Sequence, residues 1–245
     1  MVTWIIESTL QWLACIGLCL PLIALAGWSE KKRRAMLRPL AALAGFFWVA
    51  LALARSGSAI TLLPSPWQAM IFEAAFALFV LAVTRSAKSG GLGTAISRRA
   101  WRDAAIATAL LLIYVIARNF GLRWLNLAES GQRPNLEYLL YLATLPGIAE
   151  ELVYRGVIQS HLNRVFPSRR RLGGAALGWG FAITAVLFWG IHAFSASGWS
   201  LSFHWQTLTL PLIAGLVLGW MRERTQSIWP GVIAHNLLNL VWVLF

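Results

Sequence analysis

Acidic residues are scarce in this chain. Nine Asp and Glu stand against 21 Lys and Arg among 245 residues, and only 12% of residues are charged while 58% are hydrophobic. So little charge excludes an ordinary water-soluble domain. Cysteine is nearly missing as well. Cys15 and Cys19 are the only two, and lying four apart on one apolar helix face they read as small buried side chains rather than a disulfide framework. There is no tandem repeat, no low-complexity tract and no polar stretch long enough for a separate extramembrane domain.

What fills the chain instead is a series of apolar runs, each approaching membrane-spanning length. Eight segments are expected at 8–28, 39–54, 67–84, 104–117, 138–162, 175–193, 206–221 and 227–245. The fold class is therefore an all-α polytopic membrane protein, a single integral domain over residues 1–245. Tryptophans gather at the segment ends (Trp4, Trp28, Trp67, Trp101, Trp124, Trp199, Trp205, Trp229), as an aromatic belt would place them. The first segment is not read as a cleaved signal peptide. Glu7 precedes it and Lys31, Lys32, Arg33 and Arg34 follow it, the reverse of a signal peptide's charge order.

The basic residues occupy alternate loops. Sixteen lie between segments one and two, three and four, five and six, and seven and eight; Arg55, Arg118, Arg123 and Arg133 are all that the other loops hold. This bias places both termini outside by the positive-inside rule. It also assigns the net charge of +12 to topology and anionic headgroups rather than to nucleic acid. Residues 86–97, with Gly90, Gly91 and Gly93, read as a flexible cytoplasmic loop. Pro39 suits a helix start. The pairs Gly174/Gly178 and Gly215/Gly219 would let helices six and seven approach neighbours closely.

The organising stretch is Pro146-Gly147-Ile148-Ala149-Glu150-Glu151-Leu152-Val153-Tyr154-Arg155-Gly156. Charge at membrane depth costs on the order of 2.5–3.5 kcal/mol per residue, so it reads as functional by default. On a helix Glu151 and Arg155 form a favourable i,i+4 pair, leaving Glu150 to point elsewhere. Segment six adds Phe188 and His192; segment eight adds His235 and Asn239 on one face. A carboxylate and a histidine can together deprotonate water, and a histidine and an asparagine can donate to a developing oxyanion. No serine or cysteine has a base at matching depth, so water is the simpler nucleophile. Glu73 could line a cavity or cap a helix, His161 and His204 read as interfacial and solvated, and Tyr154 as packing or orientation.

Other readings of the same cluster are a charged tie between helices, a zinc hydrolase and a transporter or non-catalytic immunity protein. No His-Glu-x-x-His pair supports zinc, and no inverted repeat supports transport.

The three motifs in order, Glu150-Glu151-x-x-x-Arg155, Phe188-x-x-x-His192 and His235-x-x-x-Asn239, resemble those of the CPBP group of intramembrane proteases, the CAAX protease and bacteriocin-processing family that includes the Abi proteins. The resemblance covers about residues 138–245; the earlier helices match only generically. It implies a glutamate-dependent endopeptidase without a metal or other cofactor. Glu150 with His192 would activate water, His235 and Asn239 would form the oxyanion hole, and Glu151, Arg155 and Phe188 would support them. The implied partner is a membrane-embedded or membrane-proximal protein or peptide, in the bilayer of a bacterial cytoplasmic membrane. At ~1.5 Å per residue His192 lies ~26 Å from a helix start at Ala175 and His235 ~12 Å from Ser227, which favours a cavity opening outward.

Overall fold

The computed structural model describes residues 3–29, 33–56, 64–93, 95–125, 127, 134–167 and 169–245. Among these, eight helical bodies carry the chain back and forth. They are α1 (Thr3–Ser29), α2 (Arg33–Ser56), α3 (Ser65–Val83), α4 (Arg98–Trp124), a continuous body running from α5 (Leu136–Glu151) through a π-helical stretch (Leu152–Gln159) into α6 (Ser160–Val165), then α7 (Trp179–Ala193), α8 (Leu210–Thr225) and α9 (Trp229–Leu244). The first four are long and apolar enough to cross a membrane; α7 and α9 are shorter apolar helices. The protein is a polytopic helical membrane protein, with two small hairpins as its only strands among the described residues.

Those hairpins shorten the segments read from hydropathy. Residues 169–178 form the antiparallel pair β1 (Arg169–Leu172) and β2 (Ala175–Gly178), so the sixth helix starts at Trp179 and not at residue 175. Gly173 and Gly174 both have positive φ, 58° and 77°, as a two-residue hairpin turn with the strand twist requires. Gly174 and Gly178 thus serve a turn and a helix entry, not a helix–helix seam. A second pair, β3 (Phe194–Ser197) with β4 (Ser200–Phe203), follows α7 directly, and the seventh helix begins at Leu210 instead of residue 206. Apolarity alone does not distinguish four strand residues from a helical turn.

Elsewhere the helices run beyond the apolar cores. α4 begins at Arg98, where the Ser97 hydroxyl accepts from the Ala100 N–H at 3.2 Å, an N-cap. Pro39 lies inside α2, because the Arg-, Ala-, Met- and Leu-rich flank before it is itself a good helix former.

Contacts between helix ends show that alternate connections share an end. At one, Glu7 of α1 pairs with Arg55 at the close of α2 at 3.1 Å, and Asn119 of α4 donates to the Trp242 carbonyl of α9 at 3.3 Å. At the other, Arg224 of α8 meets Asp103 of α4 at 2.7 Å, and Trp179 of α7 donates to Ser29 of α1 at 3.0 Å. The basic loops therefore collect at a single end. The loop after α3 is packed there: Arg164 donates to Ser86 at 2.9 Å, Arg222 donates to the Ser89 carbonyl, and Gly90 and Gly91 are buried. These glycines serve close approach rather than the slack inferred from composition.

Two seams position the later helices. Gly215 and Gly219 of α8 face Ala185 and Phe181 of α7, where an added Cβ would come within 3.1 and 3.0 Å. Cys15 and Cys19, both fully buried, lie on the α1 stripe against α7, with the Cys15 sulfur 3.2 Å from where a Gly190 Cβ would sit. Gly147 is tighter still, since its Cβ would meet the Val232 carbonyl at 2.8 Å and the Asn236 side chain, whereas Gly45 has open space around it. In thermal unfolding of the detergent-solubilised protein, Gly147→Ala is expected to lose about 1–3 kcal/mol. Gly45→Ala should instead be neutral or gain up to about 1 kcal/mol from helix propensity. Equal effects of the two substitutions would contradict the packing.

Candidate active site

The adjacent glutamates enter the bundle in different directions, as one helical step of about 100° requires. Glu151 is fully buried, and its Oε1 accepts from Arg155 Nη1 at 2.7 Å. Arg155, also fully buried, donates a second hydrogen bond to the Gly215 carbonyl of α8 at 3.2 Å and lies over the Phe188 ring of α7 at 4.4 Å. All eight residues of the π-helical stretch are buried, so the wide turns that follow the glutamates sit at the centre of the bundle, a common place for π-bulges.

Glu151 has a partner that sequence spacing did not suggest. His235 Nδ1 lies 3.1 Å from the same Glu151 Oε1, so a protonated Nδ1 donates to the carboxylate and His235 Nε2 is turned the other way. That Nε2 is 3.9 Å from Glu150 Oε2. From α7, His192 Nε2 approaches the same oxygen at 4.0 Å. His192 is held by a 2.8 Å contact between its Nδ1 and the Phe188 carbonyl one turn back, which makes Nδ1 the protonated nitrogen and leaves a lone pair on Nε2. Glu150 Oε2 is itself buried and accepts no hydrogen bond among the described residues. Two imidazoles from two other helices thus converge on one carboxylate oxygen, at separations that one water molecule can bridge.

Phe188 sits among these groups, its ring centroid 4.7 Å from His192, 5.7 Å from His235 and 5.2 Å from Tyr154. Asn239 lies one turn beyond His235 on the same face of α9 and is half-buried; its amide makes no hydrogen bond among the described residues. The neighbouring Asn236, which the sequence reading passed over, carries the helix contact instead. It donates to the Thr144 carbonyl at 3.0 Å and accepts from the Gly147 N–H at 2.8 Å, fastening α9 to α5 just before the glutamates. A polar side chain beside His235 and a glycine after Pro146 were the available signals. Neither spacing shows that the two meet across 89 residues.

A cavity of about 270 Å³ reaches Glu150 and His192, and Gln11, Leu51, Arg55, Met70, Glu73 and Tyr154 are among its other lining residues. Glu73 is thus brought to the cavity wall from α3, buried and outside any ion pair among the described residues. His161 and His204 lie apart from the cluster, bonded to Val157 and Ser195 respectively. Among the described residues no three His, Cys, Asp or Glu side chains are grouped to hold a metal ion.

Residues 132–241, which hold every one of the converging groups, match the family model described as Type II CAAX prenyl endopeptidase Rce1-like. No curated protein and no solved structure matches the chain. The later part of the chain thus carries an Rce1-like domain, consistent with the CAAX protease family.

Proposed function

We propose that the protein is a glutamate-dependent intramembrane endopeptidase that hydrolyses a peptide bond of a membrane-embedded or membrane-proximal protein. The observation that carries this reading is the pair of imidazole Nε2 atoms, 4.0 and 3.9 Å from one otherwise unpartnered oxygen of Glu150. A water between Glu150 Oε2 and His192 Nε2 would have two acceptors at hand. Glu150 takes its proton as the oxygen attacks the carbonyl carbon. In its imidazolium form His235, held through Nδ1 by Glu151 at 3.1 Å, would donate from Nε2 to the oxyanion, with the unengaged Asn239 amide as second donor. Proton return from Glu150 to the leaving nitrogen breaks the C–N bond and yields acid and amine.

The division of labour between the glutamates has separable consequences. Glu150→Ala or His192→Ala should abolish cleavage of a farnesylated CAAX-type peptide by the reconstituted protein while leaving its thermal stability near wild type. Asn239→Ala should lower kcat by about 10²–10³-fold, the usual cost of one oxyanion donor. Retained cleavage in Glu150→Ala would sink the mechanism. Arg155→Met strands the buried Glu151 carboxylate and is expected to cost about 3–5 kcal/mol of stability, read as a fall in the unfolding midpoint.

The cavity favours the end away from the basic loops. Its walls include Gln11 near the start of α1 and Ala54 and Arg55 at the close of α2. With α7 starting at Trp179, His192 lies ~20 Å from that helix start rather than ~26 Å, and it is the penultimate residue of α7. Under the positive-inside rule this end, with both termini, is outside, so the substrate segment would be reached from the outer face of a bacterial cytoplasmic membrane. Both native cysteines are buried, which makes the orientation testable. A membrane-impermeant maleimide on intact cells should label Ser200→Cys and spare Arg170→Cys, and the opposite pattern would reverse the orientation.

A further inference from the structure

The last four carbonyls of a helix have no partner within it, and at membrane depth little water is available to supply one. α7 ends one residue after His192, so its terminal carbonyls bear directly on that side chain. The Phe194 N–H returns to Gly190, and the His204 N–H reaches Ala193 at 2.8 Å. The Ile191 carbonyl is met from another helix: Gln11 Nε2 of α1 donates to it at 2.9 Å and to the Phe194 carbonyl at 2.5 Å. One amide therefore clasps the backbone on both sides of His192.

That amide is itself held. Gln11 is buried, and its Oε1 accepts from Arg55 Nη2 at 2.5 Å, which turns the NH₂ group toward α7. Arg55 also donates to Glu7 Oε2 at 3.1 Å and to the Ala196 carbonyl at 3.3 Å, while Glu7 Oε1 accepts from the Gly198 N–H at 2.8 Å. Glu7 and Gln11 are one turn apart on α1. The network ties the starts of α1, the end of α2 and the β3–β4 hairpin to the residues flanking His192. Gln11 also lines the cavity beside His192.

We infer that Gln11, oriented by Arg55 and Glu7, is a positioning residue for His192, and that through it the first two helices, outside the matched domain, set the aim of the histidine at the Glu150-bound water. The inference rests on the endopeptidase reading, in which His192 acts on that water. Displacement of a catalytic group by about 1 Å can cost on the order of 10²-fold in rate, so the clasp acts on turnover rather than on substrate affinity.

Two variants separate this role from simple packing. Gln11→Glu keeps the acceptor for Arg55 but sets oxygen against both carbonyls; Gln11→Met keeps the volume and removes every hydrogen bond. The full-length protein, isotopically labelled in histidine and held in detergent micelles, reports the His192 ring by NMR, with assignment by His192→Gln. Wild type should show the Nδ1–H tautomer. Both variants should show a mixed or exchanging ring, and on the farnesylated peptide kcat should fall by about 10–100-fold with KM within twofold. An unchanged His192 ring in both variants, or kcat within twofold of wild type, overturns the inference. So does a loss of kcat shared equally with KM. Glu150→Ala is assayed alongside: if it cleaves like wild type the endopeptidase reading fails, whereas an inactive Glu150→Ala with fully active Gln11 variants defeats only the positioning role.

Discussion

A carboxylate in a bilayer has to be met by cations and hydrogen-bond donors from its own protein, because lipid offers none. Glu151 and Arg155 meet that requirement at 2.7 Å with neither side chain exposed. Much of the bundle is arranged around them. Arg155 extends to the Gly215 carbonyl and the Phe188 ring, and Glu151 extends to His235, so α7, α8 and α9 are each indexed to the same helical turn. A buried ion pair of this kind is weak evidence for net stability, since desolvation offsets much of the attraction. Its value is registry: it fixes which residues of three other helices face one another.

Glu150 is what that registry leaves over. With Glu151 engaged, the neighbouring carboxylate turns into the space between His192 and His235. There Oε2 accepts no hydrogen bond among the described residues. The two histidines are distinguished by what holds their Nδ1 atoms, a backbone carbonyl for His192 and a carboxylate for His235. Both rings turn Nε2 toward the same Glu150 oxygen, at 4.0 and 3.9 Å. One residue type thus stands in two different hydrogen-bond environments, without any difference in sequence that would announce it.

The membrane imposes the same rule on the backbone. The close of α7 draws its partners from Gln11, Phe194 and His204, and the clamp between α5 and α9 runs through Asn236 and Gly147. These polar side chains sit in otherwise apolar helices, and each is answered by a carbonyl or N–H of another element. The hairpins after α6 and α7 extend this to the helix ends, because paired strands close the backbone hydrogen bonds that a bare loop would leave open.

Hydropathy and charge order alone determined the polytopic helical class, the alternation of the connections and the Glu151–Arg155 pair, because each depends on spacing along one helix or on transfer from water. The motif residues on late helices were legible for the same reason: polar groups stand out in apolar runs. Where residues 169–178 and 194–203 leave the helix was not legible, since four apolar or arginine-rich residues suit a strand or a helical turn equally. Nor was the sharing of Glu151 between Arg155 and His235, the choice of Asn236 over Asn239 for the clamp, or the reach of Gln11 to the carbonyls beside His192. Those depend on side-chain meetings across 84, 89 and 180 residues, and only tertiary packing decides which face of one helix is presented to which turn of another.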